Sequence, residues 1–517
     1  MKYDVIIVGG GNAGCALAAR LSEDPGRSVL LLEAGPHYAD MEHLPDDLKY
    51  SYGQAAQAVG APHNWSFQGR PTSGQTGLTP VARGKVMGGG SSINGAAFIR
   101  GAPQDFDDWA ARGNDQWSFL KVLPYWRKME TDLDFRNDFH GSDGPVPVRR
   151  HRREEFLPFQ EAFYRSCLDA GFPEHPDLND PESAGVSPVP LNNVDGVRMS
   201  TALTYINPNQ HRLNLTIRAN VLATRVLFDG TRATGVRVES GGEEYVVEGR
   251  EVVLSAGAIK SSHLLLLSGV GPREQLDAFG IPVVRDLPGV GKNMKDHPQA
   301  LVLLRLREGV VLDPDAPRRE CVLHYTAPGS STRNDMLVMP FSFAYQLGDD
   351  PRRPVGARLV PGLYKPEGSG EVRLASAAPH DQPHLDYRYL EHPWDRQRLR
   401  EAVRLCIRLL EHEAYRDLVA ERLSPTDEEL ATDDALDRWI YDGLKDSNTQ
   451  HMSGTCKMGP GADPMAVVDQ YCRVHGVEGL RVVDTSIMPD IVCTGTSATA
   501  MMMGERAADL IAETPPR

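Results

Sequence analysis

The sequence predicts an α/β fold, α+β overall, with two large units built around different β-sheets. The first 35 residues alternate strand, helix and strand, which is the pattern of a parallel sheet. Residues 300–390 instead show short runs of alternating polarity broken by proline-rich turns, which are typical of an antiparallel sheet. A chain of 517 residues is also too long for one ordinary core. We therefore expect a Rossmann-like unit and a second unit whose antiparallel sheet is flanked by helices.

The N-terminal segment has the clearest local pattern. Residues 4–8 (DVIIV) are a β-branched run that is long enough for one buried parallel strand. The run ends in Gly9, Gly11 and Gly14, at the G-x-G-x-x-G spacing, and residues 15–21 have the small and apolar composition of a packed helix. Gly9 permits a tight turn, Gly11 lets the backbone approach a pyrophosphate, and Gly14 lets the helix pack closely on the strand. A pyrophosphate would rest on the helix N-terminus, whose free N–H groups favour anions.

A second strand and an acidic residue complete this unit. Residues 28–32 (SVLLL) read as a strand, and Glu33 follows it. An acid about 20 residues after the glycines is placed to accept hydrogen bonds from ribose hydroxyls. A simple glycine turn is the alternative, but it would not require strand, glycines, helix, strand and acid in this order. The segment predicts an ADP-binding βαβ unit.

Composition excludes several classes of protein. The net charge of −15 argues against nucleic acid or an anionic membrane as the main partner. Seven scattered cysteines without a C-x-x-C pair argue against a disulfide framework and against a zinc site, and favour a reducing compartment. No apolar run approaches the ~18–20 residues of a transmembrane helix. The first strand begins at residue 3 or 4, which leaves no room for a signal peptide. These observations predict a cytoplasmic protein with no membrane span.

Two segments near the first unit are polar or glycine-rich. Residues 40–79 are rich in proline and glycine, and loops of this length over a nucleotide site often act as lids. Residues 83–98 (RGKVMGGGSSINGAAF) make a poor strand and a poor helix. Their backbone can lie against a flat ligand and donate several N–H groups. A flexible linker is the alternative, although it would lack the apolar residues found throughout this segment.

The remaining elements are assigned from apolar periodicity. Residues 106–129 predict helices joined by a turn at 113–114, and a strand at 251–258 leads into a helix at 259–267, expected near the first unit. A strand at 479–484 and a helix at 499–511 close the chain. A small sheet is expected from residues 215–217, 224–228, 235–238 and 245–247. The antiparallel sheet is expected from residues 301–306, 336–343, 357–364 and 371–374, with helices at 391–415 and 427–444.

Several stretches together resemble the glucose–methanol–choline (GMC) family of FAD-dependent oxidoreductases, over nearly the whole chain. Besides the N-terminal unit they are residues 84–94 (GKVMGGGSSIN), 257–271 (GAIKSSHLLLLSGVG), 287–298 (LPGVGKNMKDHP), 451–459 (HMSGTCKMG) and 474–489 (VHGVEGLRVVDTSIMP). These long matches are far more specific than the dinucleotide fingerprint alone. The resemblance implies FAD as the cofactor. It also implies a discontinuous FAD-binding domain (1–150, 196–300 and 450–517) and a substrate-binding domain (151–195 and 301–449).

The resemblance also assigns cofactor-binding residues by motif position. The ADP half of FAD would be held by Gly9, Gly11, Asn12, Ala13, Gly14, Glu33 and Ala34, with Val221 at the adenine. The pyrophosphate and isoalloxazine would be lined by Arg83, Met87, Gly88, Gly89, Ser92, Asn94, Gly95, Ala96 and Ala97. The flavin would be closed by Ala256, Asp484, Ser486 and Ile487. Some family members tether FAD through a histidine just before the asparagine of the second motif. That position is Ile93 here, so FAD is expected to be non-covalent.

The family's catalytic histidine falls on His451. Oxidising an alcohol requires removal of the hydroxyl proton and delivery of a hydride to flavin N5, and a neutral imidazole can accept that proton. Family members carry a second histidine or asparagine beside it, and alignment of the flanking residues puts that position at Gly495, which has no side chain. Thr494, Thr496 or Ser497 substitutes for it, or His451 works alone, or the reaction differs from ordinary alcohol oxidation. Tyr387 is a further candidate for the substrate end.

The leading functional prediction is an FAD-dependent alcohol oxidase or dehydrogenase acting on a small-molecule alcohol, with oxygen or another electron acceptor. A non-redox lyase resembling the hydroxynitrile lyases of the same family is the alternative, because the partner position at Gly495 is altered. A photodecarboxylase is less expected, since no plastid-type leader is visible and the motif around His451 is kept. A non-catalytic flavin-binding relic is the least expected, because the whole loop around His451 is intact.

Overall fold

The computed structural model describes residues 2–53, 55–313, 315–344, 355–447 and 449–513. Their strands form two large sheets, one mainly parallel and one antiparallel, with helices packed on both. The predicted α/β class, α+β overall, with a Rossmann-like unit is confirmed. Within the predicted substrate-binding range 301–449, residues 314, 345–354 and 448 lie outside the described residues. Over the described part of the chain, no helix is long and apolar enough to cross a membrane.

A seven-stranded sheet contains the glycine-rich unit. Its spatial order is Leu215–Arg218, Val29–Leu32, Lys2–Val8, Glu243–Leu254, Arg232–Ser240 and Leu222–Asp229, with Leu480–Val482 also paired to Glu243–Leu254. Lys2–Val8 and Val29–Leu32 are parallel and are connected by the helix Asn12–Leu21, which is the predicted βαβ unit. All four residues of Val29–Leu32 are buried, as expected for a strand covered on both faces.

One long strand of this sheet covers residues that the sequence predicted as two separate strands. The predicted strands at 245–247 and 251–258 are a single strand, Glu243–Leu254, and that part of the prediction was wrong. Its first half pairs antiparallel with Arg232–Ser240, and its second half pairs parallel with Lys2–Val8. The polar run EGRE, residues 248–251, lies within this continuous strand. Gly249 within it packs against Ile6, whose Cδ1 would lie 2.7 Å from a Cβ at position 249.

The first and last long helices of the described chain pack against each other. Asn12–Leu21 and Thr496–Glu513 pack so closely that a Cβ on Gly504 would lie 2.4 Å from the carbonyl oxygen of Ala13. The closing helix begins at Thr496, three residues earlier than predicted. Its first residues lie beside the glycine turn. Asn12 Nδ2 donates to Ser497 Oγ at 2.8 Å across this junction. The first residues of the last helix are thereby held next to the predicted nucleotide site.

A six-stranded antiparallel sheet forms the second layer. Its order is Val419–Ser424, Val302–Leu306, Ala357–Leu363, Met336–Phe341, Cys321–Tyr325 and Gly185–Pro188. One face packs on the helix Pro393–Leu410, and buried side chains such as Val338 belong to that core. The other face carries Leu337 and Met339 in a separate apolar cluster. The strands Gly185–Pro188 and Cys321–Tyr325 were not predicted, and 371–374 does not join this sheet but pairs with His384–Asp386.

The predicted helix over 427–444 is divided in two. Asp427–Leu430 and Asp433–Gly443 are separated because Thr432 Oγ1 accepts a hydrogen bond from the N–H of Ala435 and so caps the second helix. The other helices are Asp46–Lys49, Pro103–Ala111, Phe119–Met129, Pro158–Asp169, Gly257–Leu267 and Arg273–Ala278. The remaining strand pairs are Phe67–Gly69 with Thr79–Val81, Glu130–Asp132 with Val146–Val148, Asn193–Val194 with Val197–Arg198, and Val270–Gly271 with Arg285–Asp286.

Candidate active site

A cavity of about 470 Å³ is lined by residues of both large sheets. It extends from the glycine turn after Lys2–Val8 to the Leu337 face of the antiparallel sheet. Most of the predicted site residues line it, namely Gly9, Gly11, Asn12, Ala13, Glu33, Ala34, Arg83, Gly89, Asn94, Gly95, Ala97, Val221, Ala256, His451, Asp484, Gly495, Thr496 and Ser497. The tertiary structure thus gathers motifs that lie almost 500 residues apart into one site.

The other predicted cofactor-binding residues lie behind the cavity wall. They are Gly14, Met87, Gly88, Ser92, Ala96, Ser486 and Ile487. Gly14 allows close packing, since a Cβ there would lie 2.0 Å from the carbonyl oxygen of Gly9. Ser92 Oγ donates to the carbonyl of Met87 at 2.7 Å, and Gly88 has φ of +90°. These residues shape the turns, and their direct contact with a cofactor stays a prediction.

The two glycine-rich turns contact each other at one end of the cavity. The N–H of Gly88 donates to the carbonyl of Gly10 at 2.6 Å, and a Cβ on Gly89 would lie 2.8 Å from Gly11 Cα. A Cβ on Gly90 would meet no atom within 4 Å, so the backbone of this turn is open to the cavity. An open glycine backbone of this kind lets a pyrophosphate approach closely.

Glu33 and Asp484 are the two carboxyl groups of the cavity wall. Glu33 accepts hydrogen bonds from the N–H groups of Gly10 (2.9 Å) and Gly35 (2.8 Å), and burial raises its pKa to about 7. Asp484 Oδ2 accepts from Ser261 Oγ (2.5 Å) and from the N–H of Gly257 (2.9 Å), and burial raises its pKa as well. Asp484 therefore joins the C-terminal segment to the start of the helix Gly257–Leu267.

His451 is paired with a second histidine that sequence reasoning did not single out. Its Nδ1 lies 2.9 Å from Nδ1 of His297, and the two rings are nearly perpendicular at 74°. Two nitrogen ligands of one tetrahedral zinc ion would lie about 3.3 Å apart at the usual zinc–nitrogen distance. The shorter separation indicates an N–H···N hydrogen bond. His297 also stacks on Tyr364, with ring centroids 4.2 Å apart.

The hydrogen bonds determine which nitrogen of each ring carries the proton. Nε2 of His297 lies 3.0 Å from the carbonyl of Val492, which can only accept, so this nitrogen must donate. Burial holds the pKa of His297 well below its usual range, so the ring is neutral and its Nδ1 is an acceptor. His451 must then donate from Nδ1. Its Nε2 therefore has a free lone pair, which is the state that a general base requires.

The environment keeps His451 neutral. Burial and the charges of Arg83 and Arg319 lower its pKa to about 3. Asp296 Oδ1 accepts hydrogen bonds from the N–H of His451 (2.8 Å) and from Thr449 Oγ1 (2.6 Å). Asp296 and His297 are adjacent in the chain, so one short segment positions both the backbone and the ring of His451.

Gly495 lies beside the imidazole of His451. A Cβ built on Gly495 would be 3.6 Å from His451 Nε2 and 3.7 Å from Cε1, which are ordinary contact distances. Of the three candidate hydroxyls, Thr494 donates to the carbonyl of Gly495 (3.5 Å) and Ser497 Oγ accepts from Asn12 (2.8 Å). Thr496 lines the cavity without a side-chain hydrogen bond to another described residue. Thr496 therefore stays a candidate to substitute for the missing side chain.

Comparisons with known proteins show the family of this chain. Two family models, both described as GMC oxidoreductase, match residues 3–299 and 366–504. The chain belongs to the GMC oxidoreductase family. It is 38% identical over 510 residues to an uncharacterized GMC-type oxidoreductase of Rhodococcus erythropolis, with 98% of each chain covered. It is 37% identical over 544 residues to the oxygen-dependent choline dehydrogenase of Escherichia coli, covering 99% of this chain and 96% of that one.

A solved structure shows the same likeness. Pyridoxine 4-oxidase from Mesorbium loti matches with a TM-score of 0.92 at 28% identity, covering 99% of this chain and 100% of the other. The chain is therefore a GMC oxidoreductase, and FAD is the cofactor expected for the family.

Sequence reasoning missed several residues of this GMC site. His297 and Asp296 lie within residues 287–298 (LPGVGKNMKDHP), which support the family resemblance. The sequence analysis assigned no role to either side chain. Three arginines from the antiparallel sheet region, Arg318, Arg319 and Arg358, also line the cavity and lie outside every motif. Tyr387, the predicted substrate-end candidate, is buried, donates to Met452 Sδ at 3.3 Å and does not line the cavity.

Proposed function

We propose that this GMC oxidoreductase oxidises an alcohol to the corresponding carbonyl compound, with non-covalently bound FAD as cofactor and His451 as the proton acceptor. Bound FAD would supply the acceptor for the hydride that leaves the substrate carbon. His451 Nε2 would take the hydroxyl proton. The single observation that carries this proposal is the hydrogen-bond chain from Val492 through His297 to His451, which leaves Nε2 unprotonated and directed toward Gly495 at the cavity.

The residues at the glycine-rich end fit the ADP half of FAD. The two contacting turns, Gly9–Gly11 and Gly88–Gly90, present backbone to the cavity, and Glu33 retains acceptor capacity for ribose hydroxyls beyond its two backbone hydrogen bonds. The side chain of Ile93 packs in an apolar cluster with Leu48 and Val86. An isoleucine offers no nitrogen for a covalent tether, which supports the non-covalent assignment.

The predicted domain division is consistent with this arrangement and remains part of the proposal. In it, the seven-stranded sheet holds FAD, and the antiparallel sheet supplies the substrate side through Leu337, Met339 and Phe341, which line the cavity. The names of two similar proteins give choline and pyridoxine as their substrates, and both compounds are alcohols. They support an alcohol as the substrate class, and the electron acceptor is oxygen or another oxidant.

Anaerobic mixing with a panel of alcohols tests the proposal. Bleaching of the flavin absorbance indicates hydride transfer, whereas product without bleaching indicates a lyase and contradicts the proposal. Subsequent addition of oxygen or of a quinone then distinguishes an oxidase from a dehydrogenase.

The role of His451 is tested by substitution. His451→Ala should retain FAD yet reduce it about 10²–10⁴-fold more slowly, the usual contribution of a general base. His43→Ala, at an exposed histidine outside the cavity wall, is the matched control and should behave as the parent. Equal reduction rates in His451→Ala and the parent would remove His451 from the mechanism, and loss of FAD would make its role structural.

A further inference from the structure

Three guanidinium groups line the substrate side of the cavity. Arg358 lies on the strand Ala357–Leu363, and Arg318 and Arg319 precede the strand Cys321–Tyr325. Arg358 and Arg319 both approach the ring of Phe341, with guanidinium carbons 4.6 and 5.7 Å from its centroid. Two positive charges are therefore held beside one aromatic ring, next to the apolar side chains of this wall.

Arg319 has no acidic partner within 4.0 Å among the described residues. Its Nη1 donates to Met339 Sδ at 3.1 Å, and its Nε is sealed from solvent with no hydrogen-bond partner. Its Nη2 is 3.7 Å from the position a Cβ would take on Gly95, in the stretch predicted to lie against the flavin. The side chain remains partly exposed to the cavity, although protein surrounds it.

The positive charge of Arg319 is costly without a ligand. Removing a guanidinium from water without a compensating anion is unfavourable. Burial and the neighbouring arginines lower the pKa of Arg318 and Arg358 to about 10, and burial lowers that of Arg319. The two carboxyl groups of the cavity wall, Glu33 and Asp484, belong to the predicted cofactor side and are engaged by backbone N–H groups. Among the described residues, the substrate side of the cavity wall thus offers Arg319 no carboxylate partner.

We propose that the substrate is an alcohol that also carries an anionic group, a carboxylate in the first instance, which binds Arg319. Arg318 and Arg358 lie on the same wall of the cavity. Leu337, Met339 and Phe341 would contact an apolar body between the anionic group and the hydroxyl at His451. This inference rests on the proposed function and adds its substrate class. Guanidinium is the group that binds a carboxylate in bidentate fashion, which gives orientation as well as affinity.

Matched alcohols test the inference on the FAD-loaded enzyme. Flavin reduction is measured with 4-(hydroxymethyl)benzoate and with 4-methylbenzyl alcohol, which differ in charge at similar size, and with glycolate against ethanol. Choline against 3,3-dimethylbutan-1-ol tests a cation against its neutral isostere. The parent should prefer the anion of each anionic pair and disfavour choline. Equal kcat/KM values for the anionic and neutral members, or a preference for choline, would overturn the inference while leaving alcohol oxidation intact.

Substitution at position 319 locates the anion. In Arg319→Gln the kcat/KM ratio of anionic to neutral alcohol should fall about 10- to 100-fold, the loss expected for one charge-assisted hydrogen bond. Arg319→Lys should retain part of the preference, and Arg136→Gln, at an exposed arginine outside the cavity wall, should retain all of it. If Arg319→Gln slows both alcohols equally, Arg319 acts on the cofactor instead and the inference is refuted.

A binding measurement separates this inference from the proposed function. The dissociation constant of 4-methylbenzoate, which has no hydroxyl to oxidise, is obtained from its perturbation of the flavin spectrum, with inorganic phosphate as a second probe. Binding should weaken about 10- to 100-fold in Arg319→Gln. Such binding without any alcohol oxidation would refute the proposed function and retain the anion site, and no binding by the parent would refute the anion site. Tighter binding of phosphate would assign a phosphorylated alcohol.

Discussion

The hydrogen bond between His297 and His451 offers the sharpest test of the site. His451 makes one side-chain hydrogen bond in the described structure, from Nδ1 to Nδ1 of His297 at 2.9 Å. His297→Phe removes that acceptor while keeping a ring that can stack on Tyr364, which lies at a centroid distance of 4.2 Å. His297→Asn is the matched control, because its amide oxygen occupies nearly the position of Nδ1 and can still accept.

The expected loss follows from the buried N–H. Without an acceptor, the productive tautomer of His451 leaves its Nδ1–H buried and unpaired, which costs about 1–3 kcal/mol. The His451 ring avoids this cost by carrying its proton on Nε2. That nitrogen then has no free lone pair to accept the substrate proton. Flavin reduction should therefore be about 5- to 150-fold slower in His297→Phe and close to the parent rate in His297→Asn.

The assay is anaerobic stopped-flow reduction of the flavin by a saturating alcohol, with FAD content and thermal stability measured for each variant. The pKa of His451 is lowered to about 3, and its neutral form is the active one, so the parent rate should not titrate near pH 6.5. It should fall only as the pH approaches 3. The reasoning is refuted if His297→Phe binds FAD and reduces it at the parent rate, or if the parent loses activity with a midpoint near pH 6.5.

Two further predictions concern the cofactor and the partner position. Heat or acid should release FAD into the supernatant, because Ile93 has no nitrogen for a tether, and flavin that stays with the precipitated chain would contradict this. Gly495→Asn should fold, because the glycine lacks a positive φ and a Cβ there makes only ordinary contacts, 3.6 Å from His451 Nε2. It should shift preference toward smaller alcohols by ~1–3 kcal/mol, with a smaller shift in Gly495→Ala. The measurement is the ratio of flavin reduction rates for a large and a small alcohol, and an unchanged ratio would mean that position 495 does not face the substrate.

Local backbone chemistry is what the sequence determined by itself. Gly9 and Gly14 are required by the turn they form, since a Cβ there would lie 2.5 Å and 2.0 Å from carbonyl oxygens. The strand and helix around them follow from short-range periodicity, so this unit was predictable. The family likeness assigned His451 and the neighbouring position Gly495 from continuous motifs. The structure then puts the two side by side. Each of these features depends on residues that are close together in the chain.

The tertiary structure alone decided which distant side chains meet. His297 and His451 are separated by 154 positions, and no spacing rule relates them. The pairing of Gly185–Pro188 with Cys321–Tyr325, and the continuity of Glu243–Leu254 across a polar run, depend on partners elsewhere in the chain. The convergence of Arg318, Arg319 and Arg358 on one wall follows from strand order in the antiparallel sheet. Long-range packing therefore set the protonation state of the proposed base His451. It also placed the three arginines on one wall of the cavity.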